Sequence, residues 1–134
     1  MDDRDDVLAA NAAFYRAFGT ADSRAMEALL APHRDDLSVV HPGAPAIVGR
    51  AGVVASWRAI LDGADRVDIR CFNATACLHG GFAFVLCNEA IQGQILVATN
   101  IFCRTGEGWR LMHHQAGPCH VTGRTAPGPR PVLH

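Results

Sequence analysis

The chain has 134 residues, 49% of them apolar and 19% charged, with a formal net charge of -1. That length suits one domain around one core, and that apolar fraction excludes a disordered chain. The near-neutral balance, with no basic stripe, argues against a nucleic-acid partner. No apolar run approaches the roughly 20 residues of a membrane span, and no basic-then-apolar leader opens the chain. A cytoplasmic protein without a membrane partner is therefore expected.

The acidic run Asp2-Asp3-Arg4-Asp5-Asp6 leads into a helix from about Val7 to Phe18, where Val7, Ala10, Phe14 and Phe18 recur at helical spacing. Asp5 or Asp6 can accept the free backbone N–H groups at its start, and Gly19 is a natural stop. Asp22 or Ser23 caps a short second helix through Met26, Leu29 and Leu30, with Pro32 just beyond it. Leu37 to His41 is β-branched and reads as a strand, punctuated by Pro42, Gly43 and Pro45. A third helix runs from about Arg50 to Leu61, with Val53, Trp57, Ile60 and Leu61 as its apolar stripe and Asp62-Gly63 at its end.

The period then changes. Val67, Ile69 and Cys71 alternate with polar neighbours, as strand residues do. His79-Gly80-Gly81 turns the chain, Phe82 to about Ile91 is a second strand, and Ile95 to Arg104 a third. Thr105 to Gly108 is a hairpin turn, and Trp109 to Ala116 a fourth strand. Helices followed by a four-stranded meander predict an α+β fold. Residues 1–118 form one domain on this reading, and 119–134 a Gly/Pro-rich tail.

Little chemistry is announced by motif. There is no phosphate-binding Gly-rich loop, nucleophile elbow or HExxH, and no cofactor is implied. Lys is absent, which excludes a Schiff base. The five cysteines are odd in number and form no CxxC; four sit among strand residues, where a thiol packs as a small apolar group. The run Trp109 to His120 holds three histidines and a cysteine. Neighbouring strand residues point to opposite faces, so His113 and His114 cannot share one metal while the strand stays regular. No metal is expected.

Register arithmetic gives a candidate cluster. The turn at Thr105–Gly108 pairs Arg104 with Trp109, Phe102 with Leu111, and Asn100 with His113. Across the Gly93 turn, Asn100 falls near Cys87 or Leu86; if Cys87, then Glu89 shares the face of His113. His113, Glu89 and Asn100 are thus the candidate catalytic residues, with Gln115 further along the same face. The histidine can move a proton, the carboxylate can orient it, and the amide can stabilise negative charge on a substrate oxygen. Tyr15, Phe18, Trp57 and Phe102 would supply pocket walls, and His41 could reach the mouth. Buried Asn, Glu and His residues also serve sheets structurally, which is the competing reading. Asp68 alternates with Val67 and Ile69 toward solvent, which argues against it as an isomerase-type base. An enclosed cavity of roughly 300 Å³ or more would favour a ligand, whereas one filled by Phe14, Phe18, Trp57 and Phe102 would favour a structural module; the open cavity is the expectation.

The phrases AANAAFYRAFGTADSRAMEALLA, VVHPG, IVGRAGVVASWRAIL and ATNIFCRTGEGWRLMHHQAGP, in that order from Val7 to Pro118, resemble the SnoaL-like branch of the nuclear transport factor 2-like superfamily. The resemblance implies a curved antiparallel sheet wrapped against three helices as a cone with an apolar pocket. It also implies a homodimer through the outer sheet face, where His114 would lie with Arg110 and Met112. The superfamily includes isomerases, dehydratases, cyclases and non-catalytic binding modules. Two functions are carried forward on that basis: a proton-transfer enzyme acting on an apolar carbonyl or ring compound, and a ligand-binding or dimerisation module without turnover.

Overall fold

Asp2 opens the first helix, α1 (Asp3–Gly19), in a computed structural model that describes residues 2–120. Its carboxylate accepts the Asp5 backbone N–H at 2.8 Å. The cap therefore lies ahead of Asp5 and Asp6, because a capping oxygen must precede by two or three residues the N–H it accepts. Val7, Phe14 and Phe18 form the buried stripe of α1, and two polar residues, Asn11 and Tyr15, are buried with them. Helix α2 (Ser23–Leu29) is capped by Asp22, whose carboxylate accepts the Ala25 N–H at 3.0 Å. Helix α3 (Arg50–Leu61) follows Gly49, whose φ of 108° is a backbone state that few other residues adopt, and buries Val53, Trp57 and Leu61 one turn apart.

The strands are β1 (Ser38–Val40), β2 (Ile47–Val48), β3 (Ile69–His79), β4 (Phe82–Ile91), β5 (Gln94–Thr105) and β6 (Gly108–Pro118). They make one sheet in the order β2-β1-β6-β5-β4-β3. The four long strands form the expected meander. At its far edge β1 runs parallel to β6, so the sheet is mixed, open and six-stranded instead of wholly antiparallel. Strand β2 is too short to show a period in sequence. The tail at 119–134 lies outside the described residues, Cys119 and His120 excepted.

Two irregularities decide which side chains face inward. In β3 the register shifts between Phe72 and Thr75, where Asn73 has a φ of 56°. That shift breaks the alternation and hides the second half of the strand from a period-2 reading. In β6, Leu111 pairs with Phe102 but His113 pairs with Ile101, leaving Met112 as an extra residue. Such a bulge reverses the face of everything beyond it. Helix α1 packs on β3, β4 and β6. The core between helices and sheet centres on Phe14, Trp57, Met26, Leu37, Leu61 and Phe102, each at most 1% exposed.

Candidate functional site

The inner face of β4 carries Val85, Cys87 and Glu89; that of β5 carries Leu96, Ala98, Asn100 and Phe102; that of β6 carries Leu111, His114 and Ala116. The polar side chains of this face meet the two polar residues of α1. Tyr15 Oη donates to Glu89 Oε2 at 2.6 Å and lies 3.3 Å from Cys87 Sγ. Asn100 Nδ2 donates to Asn11 Oδ1 at 2.8 Å and to Tyr15 Oη at 3.2 Å. His114 Nδ1 lies 2.5 Å from Asn100 Oδ1. Because that oxygen can only accept, Nδ1 carries the proton and Nε2 keeps a free lone pair. His114 Nε2 is 3.9 Å from Glu89 Oε2.

The charge state follows from burial. Desolvation drives His114 down to about 3, with smaller contributions from the nearby His41 and His113. Burial pushes the Glu89 carboxyl above its ordinary value, partly opposed by the Tyr15 hydrogen bond. Burial also raises the Tyr15 hydroxyl, helped by Glu89. The imidazole is therefore neutral, and the carboxyl is biased toward its acid form. With the imidazole neutral, the His114–Glu89 approach is not an ion pair. Every amide proton of Asn100 Nδ2 has an acceptor and its carbonyl has a donor, which is what a polar hub must achieve inside a core.

An aromatic layer covers the cluster. Phe14 lies 5.0 Å and Trp57 5.7 Å from the His114 ring. Phe14 and Phe18 meet Trp57 edge-on at 5.6 and 5.2 Å. Trp57 Nε1 is buried without a hydrogen-bond partner among the described residues. Glu89, Asn100 and His114 line none of the four described cavities, of 320 to 430 Å³. One hollow close to the cluster, of 430 Å³, is lined by Pro42, Gly43, Ile91, Gln92, Gln94, Leu96 and Pro118. Leu96 is the ladder partner of Glu89, and Ile91 is two residues further along β4. The hollow thus opens beside the cluster, at the end of β1.

The sequence-based candidates divide accordingly. Glu89 and Asn100 do share the interior face, and Tyr15, Phe18, Trp57 and Phe102 are buried around it. His41 is half-buried, its Nε2 3.1 Å from Ser56 Oγ and its ring 4.9 Å from Trp57. The expected pairing of His113 with Asn100 is overturned: the bulge at Met112 gives that place to His114. His113 instead reaches the β1 edge, its Nδ1 2.7 Å from Ser38 Oγ. Gln115 is exposed for the same reason and lines no interior wall. His114, assigned by alternation to the outer face, is 2% exposed and central. Asn11 was missed as well. Its position between Val7 and Phe14 on an apolar stripe was the available signal, since a polar residue there needs a buried partner. Among the described residues no three His, Cys, Asp or Glu side chains converge as a metal site.

The chain matches the SnoaL-like domain family over residues 7–119. Its structure is similar to one from Streptomyces avermitilis named "putative dehydratase from the NTF2-like family", with 31% identity, a TM-score of 0.81, and coverage of 89% of this chain and 97% of that one. It is also similar to a "putative calcium/calmodulin-dependent protein kinase type II association domain" from Thiobacillus denitrificans, with 29% identity, a TM-score of 0.75, and coverage of 84% and 94%. A "putative ketosteroid isomerase" from Parabacteroides distasonis shares the fold, with a TM-score of 0.66 at 12% identity over 84% and 85% of the two chains. No curated protein matches the chain.

Proposed function

Because this chain belongs to the SnoaL-like domain family, we propose that it binds a small apolar carbonyl or ring compound and transfers a proton on it, with Glu89 and His114 as the acid–base pair. The observation that carries this reading is the position of Glu89 Oε2. It lies 2.6 Å from the Tyr15 hydroxyl and 3.9 Å from the free lone pair of a neutral imidazole. A carboxyl biased toward its acid form can give a proton to a substrate oxygen, and an imidazole that is neutral at pH 7 can take one from carbon. Asn100 holds the His114 tautomer, and Asn11 holds Asn100. Trp57 Nε1, a buried donor without a partner among the described residues, would be satisfied by a substrate acceptor. The substrate would enter from the hollow beside Leu96 and displace part of the aromatic layer. The chain would then act on a proton next to an electron-withdrawing group of the substrate.

A second reading has an observation of its own. Phe14, Phe18 and Trp57 fill the space above His114, as a non-catalytic module of this fold would have it. Deuterium exchange separates the two. A panel of enolisable cyclic ketones in deuterated buffer, followed by NMR, should show protein-dependent loss of the α-proton signal. Glu89→Gln and His114→Gln should each lower that rate by about 100-fold, the usual order for general acid–base catalysis, while His113→Ala leaves it unchanged. No exchange above the Glu89→Gln background would remove the catalytic reading and leave the module.

The outer sheet face is proposed as the surface of a homodimer. Phe82, Phe84 and Leu86 of β4 lie there beside Val97 and Ile101 of β5, and Leu86 and Val97 are 43% and 46% exposed. A second copy of the chain, presenting the same face, would remove this apolar area from water. No described helix is long and apolar enough to cross a membrane.

A further inference from the structure

Cys71 and Cys87 stand apart from the other thiols. Cys71 pairs across the β3–β4 ladder with Glu89, so Cys87, two residues before Glu89, is its diagonal neighbour on the same face. Both sulfurs belong to the interior polar cluster. Asn11 Nδ2 lies 3.7 Å from Cys71 Sγ, and Tyr15 Oη lies 3.3 Å from Cys87 Sγ. The bulge of β3 begins immediately after Phe72 and faces Cys87, whose ladder neighbours pair with Phe72 and Thr75. A 410 Å³ hollow at that bulge is lined by Asn73, Thr75, Leu86, Cys87, Asn88 and Val97, among others, but the Cys87 side chain is turned to the interior and only 3% exposed. Cys71 is itself half-buried.

We propose that Cys71 and Cys87 are a peroxide-oxidisable pair that closes to a reversible intrachain disulfide. A hydroperoxide gives one oxygen to the Cys71 thiolate, forming a sulfenic acid and releasing the alcohol or water of the reduced peroxide. The Cys87 sulfur then attacks the Cys71 sulfur; the S–S bond forms, the S–O bond breaks, and the oxygen leaves as a second water with the Cys87 proton. Both thiols are oxidised by one electron each, and the peroxide is reduced by two.

Three features bear on this order of events. The contact with the Cys87 thiol holds Cys71 below the ordinary cysteine value, while the same contact and burial push Cys87 up. Cys71 is therefore the better first nucleophile and Cys87 the resolving thiol. Diagonal strand neighbours lie about 7–8 Å apart, beyond the usual disulfide span, so the bond requires the strands to draw together at the bulge beside them. Closing the bond also takes from Tyr15 the thiol that lies against its hydroxyl. The proposal does not depend on the chain being an enzyme.

Reduced protein freed of reductant is treated with hydrogen peroxide, alkylated, and mapped by mass spectrometry without reduction. Chymotrypsin is the protease to use. No Lys or Arg occurs between Arg70 and Arg104, so trypsin leaves Cys71, Cys77, Cys87 and Cys103 on one peptide. The expected product has lost two hydrogens, joins the Cys71 and Cys87 peptides, and reverts with dithiothreitol. Cys71→Ser and Cys87→Ser should each lose the link, and Cys77→Ser should keep it. The wild-type map decides the matter even if a variant fails to fold. Both thiols fully alkylated after peroxide, separate sulfinic acids, or a link from either cysteine to Cys119 would each overturn the proposal.

Discussion

Replacing Asn100 by Leu tests the interior network most directly. The side chain is fully buried, and the two residues are similar in size. Leu leaves the His114 Nδ1–H and Asn11 Oδ1 without partners and withdraws one donor from Tyr15 Oη. Two orphaned buried groups cost about 1–3 kcal/mol each, and the added apolar burial offsets about 1–2 kcal/mol. The net loss is about 3 kcal/mol, a large share of the roughly 5–15 kcal/mol of a small domain. In urea titrations with a slope of about 2 kcal/mol per molar, the midpoint should fall by about 1.5 M. His113→Leu is the comparison. It breaks one half-buried bond to Ser38 and should cost about 1 kcal/mol, or about 0.5 M. Equal losses, or a larger loss at His113, would mean that Asn100 faces His113 and that the bulge is misplaced.

Acid should destabilise the fold through His114. Its folded value of about 3 lies below the unfolded 6.5, so its contribution is intact above pH 6.5 and lost as pH falls toward 3. The slope is at most about 1.4 kcal/mol per pH unit. His114→Gln should flatten that limb in urea midpoints taken from pH 7.5 to 4.5. It will not erase the limb, because burial depresses His41 in the same direction. Glu89 acts oppositely: its raised value favours the folded state at low pH and loses that benefit as pH rises through the folded value. Glu89→Gln should therefore steepen the net loss on acidification, and an unchanged curve would mean that its carboxyl is not shifted. If the outer face carries the proposed homodimer, the wild type should sediment as a dimer at equilibrium, and Val97→Asp together with Leu86→Asp, which places two charges on that face, should sediment as a monomer; a dimer in both would move the interface elsewhere, and a monomeric wild type would remove the dimer.

The helices and the meander were legible because their periods are long and their breaks are marked by Gly, Pro and Asp. Val7, Phe14 and Phe18 on one stripe, or Thr105 to Gly108 between two apolar runs, leave few alternatives. The β1–β6 pairing was not legible, since three residues of strand carry no partner information. The site was half legible for a sharper reason. From Leu111 onward, strict alternation puts His113 and Gln115 inside and Ala116 outside. One extra residue puts His114 and Ala116 inside and Gln115 in water. The second arrangement buries less polar surface, which was a hint. Yet each arrangement buries one imidazole, so the pattern alone could not choose. What decides is the partner: Asn11 and Tyr15 on α1 bring Asn100 to the one imidazole that its oxygen can reach, and that contact is long-range in sequence.

A deletion in β6 tests the bulge directly. If Met112 is the inserted residue, removing it restores regular alternation, with Leu111 inside, His113 outside, His114 inside and Gln115 outside, as in the native face assignment. The chain lacking Met112 should therefore fold. It should lose about 1–3 kcal/mol, because Met112 is partly buried against the core and its packing goes with it. Removing Thr99, from a regular stretch of β5, should instead reverse the faces of Ala98 or Asn100 and unfold the protein. Circular dichroism and urea titration of the two deletions read this contrast. A Met112 deletion as damaging as the Thr99 deletion would show that the residue is part of a regular ladder, and would return His113 to the interior.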